Sequence, residues 1–98
     1  IQMQEAIKYL TDNLFELKGY LNKSERKELQ RIIKGNLFEQ APGNIQGNQI
    51  RRFNCSAVIN SKRINIDISV FDTQKTTAWI TIVDFLTPGN KGYANLTI

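Results

Sequence analysis

RINIDISV, Arg63 to Val70, puts an apolar side chain at every second position: Ile64, Ile66, Ile68 and Val70 alternate with Arg63, Asn65, Asp67 and Ser69. Period two marks a strand buried on one face and wet on the other. The segment before it repeats the pattern, with Phe53, Cys55, Ala57 and Ile59 set between Arg52, Asn54 and Ser56. Asn60-Ser61-Lys62 supplies turn chemistry between the two, so they read as an antiparallel hairpin. Pairing Asn60 with Arg63 across a two-residue turn sets Ser56 opposite Asp67 and Asn54 opposite Ser69. Downstream, Ala78, Ile80 and Ile82 alternate with Thr77, Trp79 and Thr81. After the turn Pro88 to Gly92, Ala94, Leu96 and Ile98 alternate with Tyr93, Asn95 and Thr97.

Upstream of Ile50 the period is near 3.6. Met3, Ile7, Leu10, Leu14 and Leu17 fall on one helical stripe, which Gly19 is placed to end. A second helix is expected to start at Asn22 or Ser24, Asn22 with Glu25 three residues later giving a capping-box signal. Leu29, Ile32 and Ile33 give that helix its buried face, and Gly35 is expected to stop it. KGNLFEQAPG, Lys34 to Gly43, then forms a structured corner, with Leu37 and Phe38 expected inside and a helical turn expected over Leu37 to Gln40. It lacks the spacing and Lys-Ser/Thr ending of a phosphate-binding loop.

The predicted fold is therefore α+β: two or three N-terminal helices packed on one face of a four- to five-stranded antiparallel sheet. The opposite face carries Arg52, Asn54, Ser56, Arg63, Asn65, Asp67, Ser69, Thr77, Trp79, Thr81, Tyr93, Asn95 and Thr97. Two readings of that face stay open: a surface that holds a phosphate and stacks a base, or an ordinary solvated face.

A length of 98 residues fits one domain with a single core. No apolar run is long enough to span a membrane, and Glu5 and Lys8 interrupt the first helix too early for a signal peptide. The chain begins at Ile1 rather than Met, from which an excised domain or processed product is expected. Cys55 is the only cysteine and histidine is absent, which excludes an internal disulfide, a cysteine-histidine zinc site and the usual general acid/base of neutral pH. No metal or cofactor is expected. Thirteen Lys and Arg against nine Asp and Glu give a net charge of +4, which favours an anionic partner.

Asn22-Lys23-Ser24-Glu25, Leu29, Lys34-Gly35-Asn36-Leu37, Ala41-Pro42-Gly43 and Gly47 together resemble the N-terminal half of barnase and related microbial ribonucleases. The resemblance covers roughly residues 22–47 and implies helices followed by an antiparallel sheet, with an RNA-facing surface. Lys23 matches the family's catalytic lysine. The sequence departs from the family pattern elsewhere. Gln49-Ile50 runs almost directly into Arg51-Arg52-Phe53 where the family has its guanine-recognition loop. The FNCSAVIN strand offers no counterpart to the general-base glutamate, and no histidine is present to act as the acid. The resemblance thus implies the fold and the surface, and not the acid/base pair.

Within the wider group of barnase- and RelE-like toxins, Lys, Arg, Asp and Tyr carry the reaction instead. By that analogy Asp67 is the candidate base, Arg52, Arg63 and Lys23 are candidate phosphate clamps, and Tyr93 or Lys91 serve the leaving group. Trp79, Thr77, Asn54 and Lys62 are candidate RNA-binding residues. The expected protein is a monomeric, metal-independent ribonuclease toxin domain, with transfer RNA the first substrate class to test. It would be delivered or secreted by a producer cell, act in the target-cell cytoplasm and be covered by an acidic immunity protein. The alternative is a non-catalytic module of the same fold that binds RNA or a protein.

Overall fold

The computed structural model of the protein describes residues 3–41, 47–73, 75–87 and 91–97, the last run as backbone only. Two helices come first, α1 (Met3–Asp12) and α2 (Lys23–Asn36), with a short 3₁₀ turn over Leu14–Leu17 between them. Five strands follow: β1 (Phe38–Glu39), β2 (Gln49–Ile59), β3 (Lys62–Phe71), β4 (Thr76–Asp84) and β5 (Lys91–Thr97). They form one antiparallel sheet in the order β1-β2-β3-β4-β5. The architecture is the α+β fold that the change of period implied.

The first helix ends earlier than its apolar stripe. Asn13 turns its side-chain amide back onto the Tyr9 carbonyl, 2.8 Å away, in competition with the helical ladder. The chain continues as 3₁₀ at three residues per turn, which keeps Leu14 and Leu17 on one face, both buried beside Ala6 and Leu10. α2 begins on the expected capping box. The Asn22 side chain accepts from the Glu25 N–H and the Glu25 carboxylate accepts from the Asn22 N–H, each at 2.8 Å. Gly35 does not stop this helix, which runs on to Asn36 before Leu37 turns extended. The expected helical turn over Leu37 to Gln40 is instead strand β1. Leu37 is buried, whereas Phe38 points outward, 64% exposed.

The β2–β3 hairpin turns on Asn60 and Ser61, both at positive φ (48° and 61°), so that Ile59 pairs with Lys62. A two-residue loop with positive φ at both positions matches the right-handed twist of its strands. This register differs from the expected Asn60–Arg63 pairing: Asn54 faces Asp67, Ser56 faces Asn65, and Arg52 faces Ser69. The two registers differ by an even step, so every side chain keeps its expected face. Phe53, Ile64, Ile66, Ile68, Val70, Ala78, Ile80 and Ile82 form the core with Leu10, Leu17, Leu29 and Ile33. Cys55 is buried among them, and that burial pushes its thiol pKa up.

One buried carboxylate joins helix layer to sheet. Glu25, 3% exposed, caps α2 and accepts from Lys62 Nζ at 2.9 Å and Asn60 Nδ2 at 3.2 Å. Burial by itself raises the Glu25 pKa, but the bonds from Asn22, Lys62 and Asn60 together outweigh it and hold the group below its ordinary value of 4.5. A lowered folded pKa means stability present above the unfolded value and lost as pH falls through the folded one. Glu25→Gln should therefore flatten the acid limb of a stability-against-pH curve below about pH 4.5. Glu25→Ala should cost about 2–3 kcal/mol at pH 7 in urea unfolding, because it leaves three donors unpaired. Ser61→Gly should add about 0.5–1 kcal/mol by relieving the positive φ, and a loss of stability would show the turn to be wrongly assigned.

Candidate functional site

Because both helices lie against the Ile64–Ile66–Ile68 side of the sheet, they leave the alternate side chains of β2, β3 and β4 uncovered, although Ser69 is buried and accepts from Gln49 Nε2 at 3.0 Å. Arg52 and Asp67 meet there. The Arg52 Nε lies 2.9 Å from Asp67 Oδ1 and its Nη2 lies 2.7 Å from Oδ2, a bidentate fork. Asn54, directly opposite Asp67, donates to Oδ1 at 3.0 Å. Both charged side chains are 35% exposed. Hydrogen bonding to Asp67 raises the Arg52 pKa further above its ordinary range. The fork uses two of the guanidinium's five N–H groups and leaves three for a ligand.

These groups line an open cleft of about 630 Å³ that also takes in Asn65, Phe38 and Trp79, with Asn36 and Gln40 beside β1. Trp79, 44% exposed, is the register partner of Asp67 on β4. Such a cleft offers a guanidinium for a phosphate, amides for polar edges and rings for flat faces.

Of the residues singled out from the sequence, Arg52, Asn54, Asp67 and Trp79 come together in this cleft. Thr77 lies on the same face, one row along, between Ser69 and Thr97. Arg63 shares the face but lies in the row of Val58 and Val83, with its guanidinium 5.9 Å from the Phe85 ring centroid. Four residues along β3 separate it from Asp67, or ~13 Å, so the carboxylate's arginine partner is Arg52 and not Arg63. Lys62 points the other way. Its ammonium holds Glu25 and the Tyr20 carbonyl at 2.9 and 3.2 Å and serves the helix–sheet junction. Lys23 opens α2 in the helical layer and does not line the cleft. Lys91 and Tyr93 stand opposite Val83 and Thr81 in β5, and their side chains lie outside the described residues.

Phe38 is the cleft residue that sequence reasoning placed in the core. The signal was present: a buried Leu37 followed by a strand puts the next side chain on the opposite face. Arg51 and Arg52, neighbours in the basic cluster, likewise split. Arg51 is forked to Glu39 at 2.7 and 2.8 Å and lies over the Phe53 ring, on the helix side. Among the described residues no three His, Cys, Asp or Glu side chains gather as metal ligands, and no helix is long and apolar enough to cross a membrane.

Comparison with known proteins finds no matching family model, no similar curated protein and no similar solved structure. The reading of the cleft rests on its own geometry.

In a double-mutant cycle by urea unfolding, Arg52→Ala and Asp67→Ala should couple by about 1 kcal/mol, a figure reduced for partial exposure. Arg63→Ala with Asp67→Ala should be additive within about 0.5 kcal/mol. Equal coupling in the two cycles would contradict the pairing.

Proposed function

We propose that the open face binds single-stranded RNA and that the protein is a metal-independent endoribonuclease of the bacterial toxin kind. The observation that carries the reading is the Arg52–Asp67–Asn54 cluster, half-exposed beside Trp79 in a cleft of a protein with net charge +4. Arg52 holds the phosphate, and its fixed positive charge meets the charge that grows on the phosphate oxygens. Asp67 takes the proton of the 2′-hydroxyl as that oxygen bonds to phosphorus, while the bond to the 5′-oxygen breaks. The departing 5′-oxygen takes a proton, for which Tyr93 on β5, in the row of Asn65 and Thr81, is the donor in this reading; Lys91 stands in the row of Arg63, too far along the sheet to serve it. The products are a 2′,3′-cyclic phosphate and a 5′-hydroxyl. Transfer RNA is the first substrate to test. The toxin setting, with delivery into a target-cell cytoplasm and an acidic immunity protein over the basic surface, follows from the resemblance of residues 22–47 and from electrostatic complementarity.

One observation favours a second reading. Asp67 already accepts three hydrogen bonds, two of them from a cation, so both of its oxygens are engaged before any substrate arrives. A non-catalytic module of the same fold would keep this cluster as a fixed recognition element.

Incubation of the purified protein with total RNA in excess EDTA distinguishes the two. The nuclease reading expects fragments ending in cyclic phosphate, a rate at least ~100-fold lower in Arg52→Ala, and a comparable loss in Asp67→Asn. RNA left intact at high protein concentration, with binding retained, would establish the module instead.

A further inference from the structure

Phe38, Asn54, Asp67 and Trp79 are successive register partners on four neighbouring strands, so they form one row across the open face. An exposed aromatic ring stands at each end of this four-strand stretch, which position 95 of β5 continues beyond Trp79, and hydrogen-bonding side chains fill the middle. Strands ~4.8 Å apart put the two end positions ~14 Å from one another. Both rings line the cleft that holds Arg52. A Phe that is 64% exposed at the edge of an open cleft gains nothing from the core, and its neighbour Leu37 already supplies the buried contact.

We propose that this row is a two-base platform for a short single-stranded RNA segment of two or three nucleotides. One base stacks on Phe38, another stacks on Trp79, and an intervening phosphate lies over Arg52. The assignment rests on the reading of the open face as an RNA surface and adds the geometry of the substrate. Aromatic stacking accepts any base, since every base has a flat π-face. Bases stacked on one another in a helix lie ~3.4 Å apart, far closer than the two rings, so covering both requires bases splayed away from each other. A duplex does not offer that. The three N–H groups that Arg52 keeps outside its fork with Asp67 supply the phosphate contact. The polar middle of the row also disfavours a protein patch, whose centre is normally apolar with polar groups at the rim.

Oligonucleotides carrying 2′-O-methyl groups lack the nucleophile and report binding alone. With the wild-type protein, a trinucleotide should quench the fluorescence of Trp79, the only tryptophan in the chain. Anisotropy of a labelled trinucleotide should show Phe38→Ala and Trp79→Ala each binding roughly five- to hundredfold more weakly, with Phe38→Tyr close to wild type. A mononucleotide, which needs one ring, should lose no more than about twofold in either variant. Duplex RNA of the same composition should compete poorly. Phe38→Ala is a truncation at the surface, and thermal melting verifies that both alanine variants are folded. Wild-type affinity in folded Phe38→Ala, or equal competition by duplex, would overturn the platform. Binding that depends on both rings without any RNA cleavage would remove the nuclease reading and uphold the platform. Cleavage and binding that ignore Phe38 would do the reverse.

Discussion

The arrangement depends on a single buried charge. Glu25 closes the cap of α2 and, with the same carboxylate, grips the ammonium of Lys62 and the amide of Asn60 on the β2–β3 hairpin. An ion sequestered from water is tolerable only when its lone pairs are filled, and here helix and hairpin fill them jointly. The contact therefore specifies where the helix axis meets the sheet, something that non-directional apolar burial specifies poorly. Once α2 is seated there, the isoleucine side of β3 is covered and the Asp67 side is left to solvent. The cleft is a by-product of where the helices had to go.

The two arginine–carboxylate forks divide the sheet's labour. Arg51 and Glu39 fasten the short β1 to β2 on the helix side, with Phe53 beneath the guanidinium. Arg52 and Asp67 lie on the opposite surface, across from a tryptophan. Adjacent residues of one strand thus carry a structural pair and a candidate ligand-binding pair, because the pleat sends them to different sides.

Much of this was legible in the sequence because it depends on local rules. The alternation from Arg63 to Val70 named the buried and open sides correctly, and Asn22 with Glu25 marked the start of α2. Three things were not legible. The sequence puts the turn one residue late, since choosing between Asn60-Ser61 and Ser61-Lys62 depends on Lys62 being held by a glutamate 37 positions earlier. Phe38 reads as core by its hydrophobicity, whereas alternation from the buried Leu37 turns it outward. Arg63 joins Asp67 as a candidate because both lie on the open face, whereas a strand carries side chains four residues apart well beyond hydrogen-bonding reach.

Each strand in the sheet lies beside its neighbour in the chain, and the helices precede it as a local pair. From β2 onward such a meander pairs each strand with the next one in the chain, so the entropy cost of bringing partners together is met in small steps. The hairpin around Asn60 and Ser61 can zip outward, adding β4 and then β5 without a distant segment threading between existing strands. The helix–sheet junction is the non-local closure, since Glu25 and Lys62 meet there across 37 positions of the chain.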